Sequence, residues 1–123
     1  EKALKYGGTM TMAFTLLSID AEGTPSTTLG PKMGMESTSL SRLLNTMEER
    51  ELISRKPNPE DGRGVLIFLT KKGKQKRDLS KKIVLDFNNG LEKKIDKKKK
   101  DNFYEVIAAI KNQIEEEQAI NYF

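Results

Sequence analysis

At 123 residues, 33% of them charged, with a net charge of +4 and neither Cys nor His, the chain has room for one domain or for a subunit whose core a second copy completes. The missing Cys excludes disulfides, thiolate metal sites and thiol redox sensing, and the missing His weakens transition-metal and imidazole chemistry; the remaining carboxylates, lysines and hydroxyls show no catalytic spacing. No apolar run reaches the length of a membrane span and no signal peptide is recognisable, so a soluble, cytoplasmic protein is expected that is not an enzyme, with no catalytic residue, no metal site and no cofactor.

The start, Glu1-Lys2-Ala3-Leu4, reads as the interior of a helix already under way, which predicts upstream residues. Residues 9–19 place Met10, Ala13, Phe14, Leu16 and Leu17 at helical spacing behind Thr9, a suitable N-cap, and predict a core helix. Gly23 and Pro25 end it, and Pro25 suits the first turn of the next element, 26–33. Gly30-Pro31 predicts that this element is short or bent, because Pro31 lacks an N–H and its ring clashes one turn back. Gly34 supplies a tight turn at positive φ.

A longer amphipathic helix is predicted over 37–53, with Leu40, Leu43, Leu44 and Met47 at i, i+3, i+4 and i+7 as its buried face. Thr38, Arg42, Asn45 and Glu49 fall opposite, with Ser41 and Ser39 at the flanks. Short hydroxyls and one Arg suit a major groove, since they let the backbone approach base edges. Taken alone, the pattern fits an ordinary solvated face better. Glu48, Glu49 and Glu51 should keep the C-terminal half away from phosphates.

Beyond Ile53 the chain is expected to be extended through Ser54-Arg55-Lys56, to loop over 57–64, and to return as an apolar strand over 65–69, buried on both faces or against helices. The loop carries Asp61 and Arg63. Arg63, between two glycines, can lie along a narrow minor groove, and Asp61 can brace its guanidinium or close the turn. The plainer alternative is a surface turn at Asp61-Gly62 with a solvated Arg63. The order helix, hairpin, helix is that of a winged helix-turn-helix and makes double-stranded DNA the leading partner, with Arg55 and Lys56 near phosphates.

Two helices are predicted to follow. Leu79, Ile83, Phe87, Leu91 and Ile95, with Val84, stripe the first, which Asn88-Asn89-Gly90 can bend; Phe103, Ile107, Ile110 and Ile114 stripe the second. These stripes exceed what an antiparallel pair buries, so a two-fold homodimer is expected, the alternative being that both fold back on their own subunit. Charge is segregated as well. Residues 71–100 hold 13 Lys or Arg against 4 acids, and residues 101–123 hold one Lys against five acids. A Lys-rich run such as 93–100 is equally well an ordinary solvated surface.

The strings Met33-Gly34-Met35, Ser37-Thr38-Ser39-Leu40-Ser41-Arg42-Leu43, Met47-Glu48, Leu52-Ile53-Ser54-Arg55, Asp61-Gly62-Arg63 and Leu69-Thr70-Lys71-Lys72-Gly73 are similar, in kind and order, to those of the MarR family of winged-helix transcription regulators. The resemblance covers residue 9 to about residue 91. Its most specific part is Asp-x-Arg followed at this distance by Leu-Thr-x-x-Gly. Glu51 stands where the family usually has Gly, Gly30-Pro31 replaces helix formers, and the family's first helix would precede Glu1, leaving only its last turn at 3–6.

The resemblance implies a mainly α fold with a small β-hairpin wing, a winged helix-turn-helix plus long carboxy-terminal dimerisation helices. Residues 1–8 would end an upstream dimerisation helix, 9–78 form the DNA-binding domain and 79–123 the helical dimerisation region. It implies a sequence-specific transcriptional regulator, a repressor that binds a pseudo-palindromic operator as a homodimer. Ser37, Thr38, Ser39, Ser41, Arg42 and Asn45 would read the major groove, Arg63 beside Asp61 the minor groove, and Arg55 and Lys56 would lie near phosphates. Release by a small-molecule effector bound between the dimerisation helices and the winged helix is implied too; without Cys or His, a small apolar or aromatic ligand, such as an aromatic anion, is expected. The rival reading is a protein-interaction module that uses the winged helix only as a scaffold for its apolar carboxy-terminal helices.

Overall fold

A computed structural model describes residues 9–118, with the backbone alone at Asp61, Arg63 and Gln118. The expected upstream helix end at 1–8 lies outside the described residues. Among them the order is α1 (Met10–Ser18), β1 (Thr24–Pro25), α2 (Ser26–Met33), α3 (Ser37–Glu49), β2 (Ile53–Asn58), β3 (Asp61–Leu69), α4 (Lys71–Glu92) and α5 (Lys97–Gln118). They fall into two compact units that divide between Val84 and Leu85, inside α4.

Thr9 caps α1 as expected, its Oγ1 accepting from Met12 N at 3.1 Å. The buried face differs from the expected one. Met12, Thr15, Leu16 and Ser18 are buried, whereas Met10 is 75% and Phe14 51% exposed, and Leu17 is exposed too. The helix carries two apolar stripes, Met12-Leu16-Ile19 and Met10-Phe14-Leu17, about 160° apart at 100° per residue. The first enters the core, and the hydroxyls between its members can follow because they are satisfied inside the helix, Thr15 on Thr11 O at 2.7 Å and Ser18 on Phe14 O at 2.8 Å. Satisfied hydroxyls bury at little cost.

Pro31 lies inside α2, which ends two residues later, so the ring disturbs only a short helix. Gly34 adopts φ 65°, ψ 31°, and Met35 N donates back to Gly30 O at 2.9 Å, which closes the helix with a left-handed cap. The helix-turn-helix is thus α2, the turn at Gly34, and α3. On α3, Leu40, Leu44 and Met47 are buried and Leu43 packs partly against the core, as the spacing predicts.

The helix stops at Glu49, however, four residues short of the expected Ile53. Leu52 N reaches back to Met47 O at 2.9 Å, which reverses the chain, and Glu51 is placed at φ 60°. It is the one non-glycine residue at positive φ among the described residues. The amphipathic period continues through Leu52 and Ile53 by accident of composition; both are core residues, but Ile53 begins β2.

The sheet has three antiparallel strands in the order β1-β3-β2, not a hairpin alone. Thr24 and Pro25 pair with Ile67 and Leu66, and so short a strand leaves no period in the sequence. Ile53 pairs with Leu69, Arg55 with Ile67 and Pro57 with Val65, with a register shift at Pro57/Asn58. The expected loop over 57–64 is shorter in fact. Residues 61–64 are strand, and Pro59-Glu60 form the turn, which Asn58 closes by accepting from Glu60 N at 3.0 Å. Ile67 is fully buried and its strand neighbours are half-buried.

Thr70 joins the sheet to α4. Its Oγ1 accepts from Gly73 N at 2.9 Å and donates to Glu51 O at 2.5 Å, while Thr70 N donates to Leu52 O at 3.1 Å. A Cβ on Gly73 would stand 1.9 Å from Leu52 O. The string Leu-Thr-x-x-Gly is therefore the joint that seats α4 on the strand entering the wing. Asn88-Asn89-Gly90 does not interrupt α4, and Ile95 falls between helices. Asp96 caps α5, accepting from Lys98 N at 3.2 Å. In this second unit Phe87 is 68% and Phe103 60% exposed, with Ile107, Ile110 and Ile114 exposed beside them. No described helix is long and apolar enough to cross a membrane.

Candidate nucleic-acid interface

Burial of Leu40, Leu44 and Met47 fixes the rotation of α3, and this turns Ser37, Thr38, Ser39, Ser41, Arg42, Asn45 and Glu49 outward, all exposed. No acidic residue lies in the first turn of α3 and the side chain of its N-cap, Glu36, makes no cap hydrogen bond. The hydroxyl-rich end and Arg42 share one exposed surface, with the carboxylates of Glu48 and Glu49 two turns on.

Arg55 and Asn45, assigned separately from sequence, are joined. From β2, Arg55 Nε donates to Glu48 Oε2 at 3.0 Å and Nη2 to Glu48 Oε1 at 3.2 Å, while Nη2 also donates to Asn45 Oδ1 at 2.6 Å. The guanidinium fork holds the Glu48 carboxyl below its usual range, by hydrogen bonding first and by its charge second. Arg55 is thereby placed between the sheet and α3, with its charge balanced by Glu48. Asn45 and Glu48 are three apart on one helix face, a spacing the sequence displays, but only the fold brings Arg55 opposite them.

Lys56, the next residue on β2, is exposed with its Nζ 5.1 Å from the centroid of the Phe68 ring. The backbone of β3 begins with Asp61-Gly62-Arg63 directly after the Pro59-Glu60 turn, and Gly62 faces open space. The assigned roles of the Asp61 and Arg63 side chains lie outside the described side chains. Two lysines that composition alone makes generic have structural partners: Lys32 Nζ donates to Ser18 O at 2.8 Å and Lys72 Nζ to Arg50 O at 2.9 Å, each near a helix end. Among the described residues no group of His, Cys, Asp and Glu could hold a metal ion.

The helix-turn-helix followed by the β2–β3 hairpin, with β1 completing the sheet, defines a winged-helix protein. The family model that matches, over residues 9–65, is that of the MarR family, so that this stretch of the chain is similar to that family. Among curated proteins it is similar to the "Uncharacterized HTH-type transcriptional regulator YdgJ" of Bacillus subtilis (strain 168), 28% identical over 86 residues. That match takes in 70% of this chain and 52% of YdgJ, so the chain spans about half the length of the curated relative. The S. aureus MepR–DNA complex superposes with a TM-score of 0.83 at 17% identity, covering 92% of this chain and 84% of MepR. The PcaV transcriptional regulator from Streptomyces coelicolor in complex with its natural ligand does so with a TM-score of 0.74 at 19% identity, covering 90% and 84%. At such identities the likeness shows the shared fold.

Proposed function

We propose that the chain is a sequence-specific DNA-binding transcriptional regulator that acts as a homodimer on a pseudo-palindromic operator. The observation that carries this reading is α3, an exposed helix face of Thr38, Ser39, Ser41, Arg42 and Asn45 held by a buried Leu40-Leu44-Met47 stripe directly ahead of a wing in a winged helix similar to the MarR family. The solved relative bound to DNA supports it. Thr38, Ser39, Ser41, Arg42 and Asn45, with Ser37, read the major groove, Lys56 lies near phosphates, and Arg63 beside Asp61 reaches the minor groove. Residues 9–78 form the DNA-binding part and residues 79–123 the dimerising part.

The exposed stripes of α4 and α5 support the dimer, because large aromatic and aliphatic side chains left in water at this density favour a partner surface. Repression relieved by a small apolar or aromatic effector completes the reading. It is supported by the exposed Met10-Phe14-Leu17 stripe of α1, which offers an apolar wall, and by the ligand-bound relative.

The same apolar stripes favour a second reading, a protein-interaction module. Selection of genomic fragments by the purified full chain, followed by titration across salt, separates the two. A DNA-binding regulator retains particular fragments with an affinity that falls steeply with salt, since phosphate contacts release counterions. Retention of no fragment above background at low salt excludes it.

A further inference from the structure

We propose that Arg55 is a specificity-determining residue: by holding the amide oxygen of Asn45 toward itself it presents Asn45 to DNA with its NH2 group foremost, matched to a guanine edge and not to an adenine edge. The inference rests on the DNA-reading function proposed above.

An Asn with both amide atoms free pairs with adenine, accepting from N6 and donating to N7. In this protein one lone pair of the oxygen accepts from Arg55, and that bond fixes which way the amide faces. Arg55 Nη2 donates to Asn45 Oδ1 at 2.6 Å and to Glu48 Oε1 at 3.2 Å, so its two protons are divided between the two partners, while Nε–H goes to Glu48 Oε2 at 3.0 Å. A planar guanidinium gripped at three points cannot swing away from the amide without breaking the carboxylate pair. The oxygen and nitrogen of an amide lie on opposite sides of Cγ, so turning Oδ1 toward Arg55 turns the NH2 group away from it. Asn45 is exposed on the same face as Thr38 and Arg42.

The NH2 group has two protons to give. Guanine offers two adjacent acceptors in the major groove, N7 and O6, whereas adenine offers N7 beside its own N6 donor. Facing adenine, the outward NH2 group would set one N–H against another. The guanidinium also polarises the amide and strengthens its remaining donors. Because Arg55 belongs to β2, the orientation of this reader on α3 is set by the sheet that carries the wing.

The test is a selection from randomised duplexes with the full chain, comparing the parent protein with Asn45→Ala and Arg55→Lys. Lysine keeps the charge but cannot divide planar donors between two acceptors. One position per half-site should prefer guanine in the parent and lose that preference in Asn45→Ala. In Arg55→Lys the guanine-over-adenine ratio should fall about tenfold at that position alone, which a merely electrostatic role of Arg55 would not produce, since lysine keeps the charge. Glu48→Gln loosens the same fork and should give a smaller shift in the same direction; it serves if Arg55→Lys does not fold. In the DNA-free protein, Arg55→Lys should also move the side-chain amide resonances of Asn45. Unmoved resonances, an adenine preference at that position in the parent, or an unchanged ratio in the variants would overturn the proposal while leaving DNA binding standing. A parent chain that binds no duplex at low salt would overturn the DNA-reading function with it.

Discussion

Glu51 sits at φ 60° because the chain must reverse between α3 and β2, and its carbonyl must meet the Thr70 hydroxyl. A Cβ makes that conformation unfavourable by about 1 kcal/mol, which glycine avoids. Glu51→Gly should therefore raise stability by about 1 kcal/mol in urea unfolding, and Glu51→Val should lower it by at least as much. At Glu48 the prediction concerns pH. Its carboxyl is lowered from 4.5 by the Arg55 hydrogen bonds, so the clamp's contribution is fully present above about pH 4.5 and is lost as pH falls through the lower folded value. The stability difference between the parent and Glu48→Gln should be flat from neutral pH down to that point and vanish in more acidic solution. For the groove itself, Arg42→Ala and Arg63→Ala should each weaken specific DNA binding by about 1–3 kcal/mol with unchanged melting temperature. Wild-type affinity in both would remove these residues from the interface.

At the scale of elements, the joint between β3 and α4 carries the winged helix. Gly73 is packed against Leu52 O with no room for a methyl group, so Gly73→Ala must shift α4 or the strand it rests on. A loss of about 3 kcal/mol is expected, the upper part of the range for overpacking, measured as a lowered denaturation midpoint. A variant as stable as the parent would show that α4 slides freely at this joint. The string Leu-Thr-x-x-Gly is legible in the sequence as a family signature; that it is an architectural device follows only from the contacts of Thr70 and Gly73 with Glu51 and Leu52, and that Asp61-Gly62-Arg63 belongs to a strand and not to a loop only from the pairing of β3 with β2.

For the whole molecule, the α5 stripe has opposite charges at its ends: Lys100, Phe103, Ile107, Ile110, Ile114 and Glu117 follow one another at spacings of three and four. Two copies paired antiparallel would set Lys100 of each near Glu117 of the other, whereas parallel pairing would set like charges together. Lys100 already has an intrachain partner in Glu92, so the pairing would be an exchange or a sharing of carboxylates. Under the proposed homodimer, Glu117→Lys should weaken self-association at low salt and the double variant with Lys100→Glu should restore it, read by sedimentation equilibrium. The effect should be modest, as for any exposed pairs, and should fade as salt is added. Equal association constants for all three proteins would exclude this register.

The local part of the structure was determined by the sequence alone: the cap at Thr9, the left-handed turn at Gly34, the buried Leu40-Leu44-Met47 stripe and the bounds of α2 depend on neighbours within a turn or two, where sterics and periodicity act directly. Tertiary structure decided which of the two apolar stripes of α1 is buried, because both have the same period and only the packing partner distinguishes them. It likewise ended α3 at Glu49, recruited Thr24-Pro25 as a third strand and set Arg55 against Asn45 and Glu48, since each depends on residues brought together across the fold whose energies no local window contains.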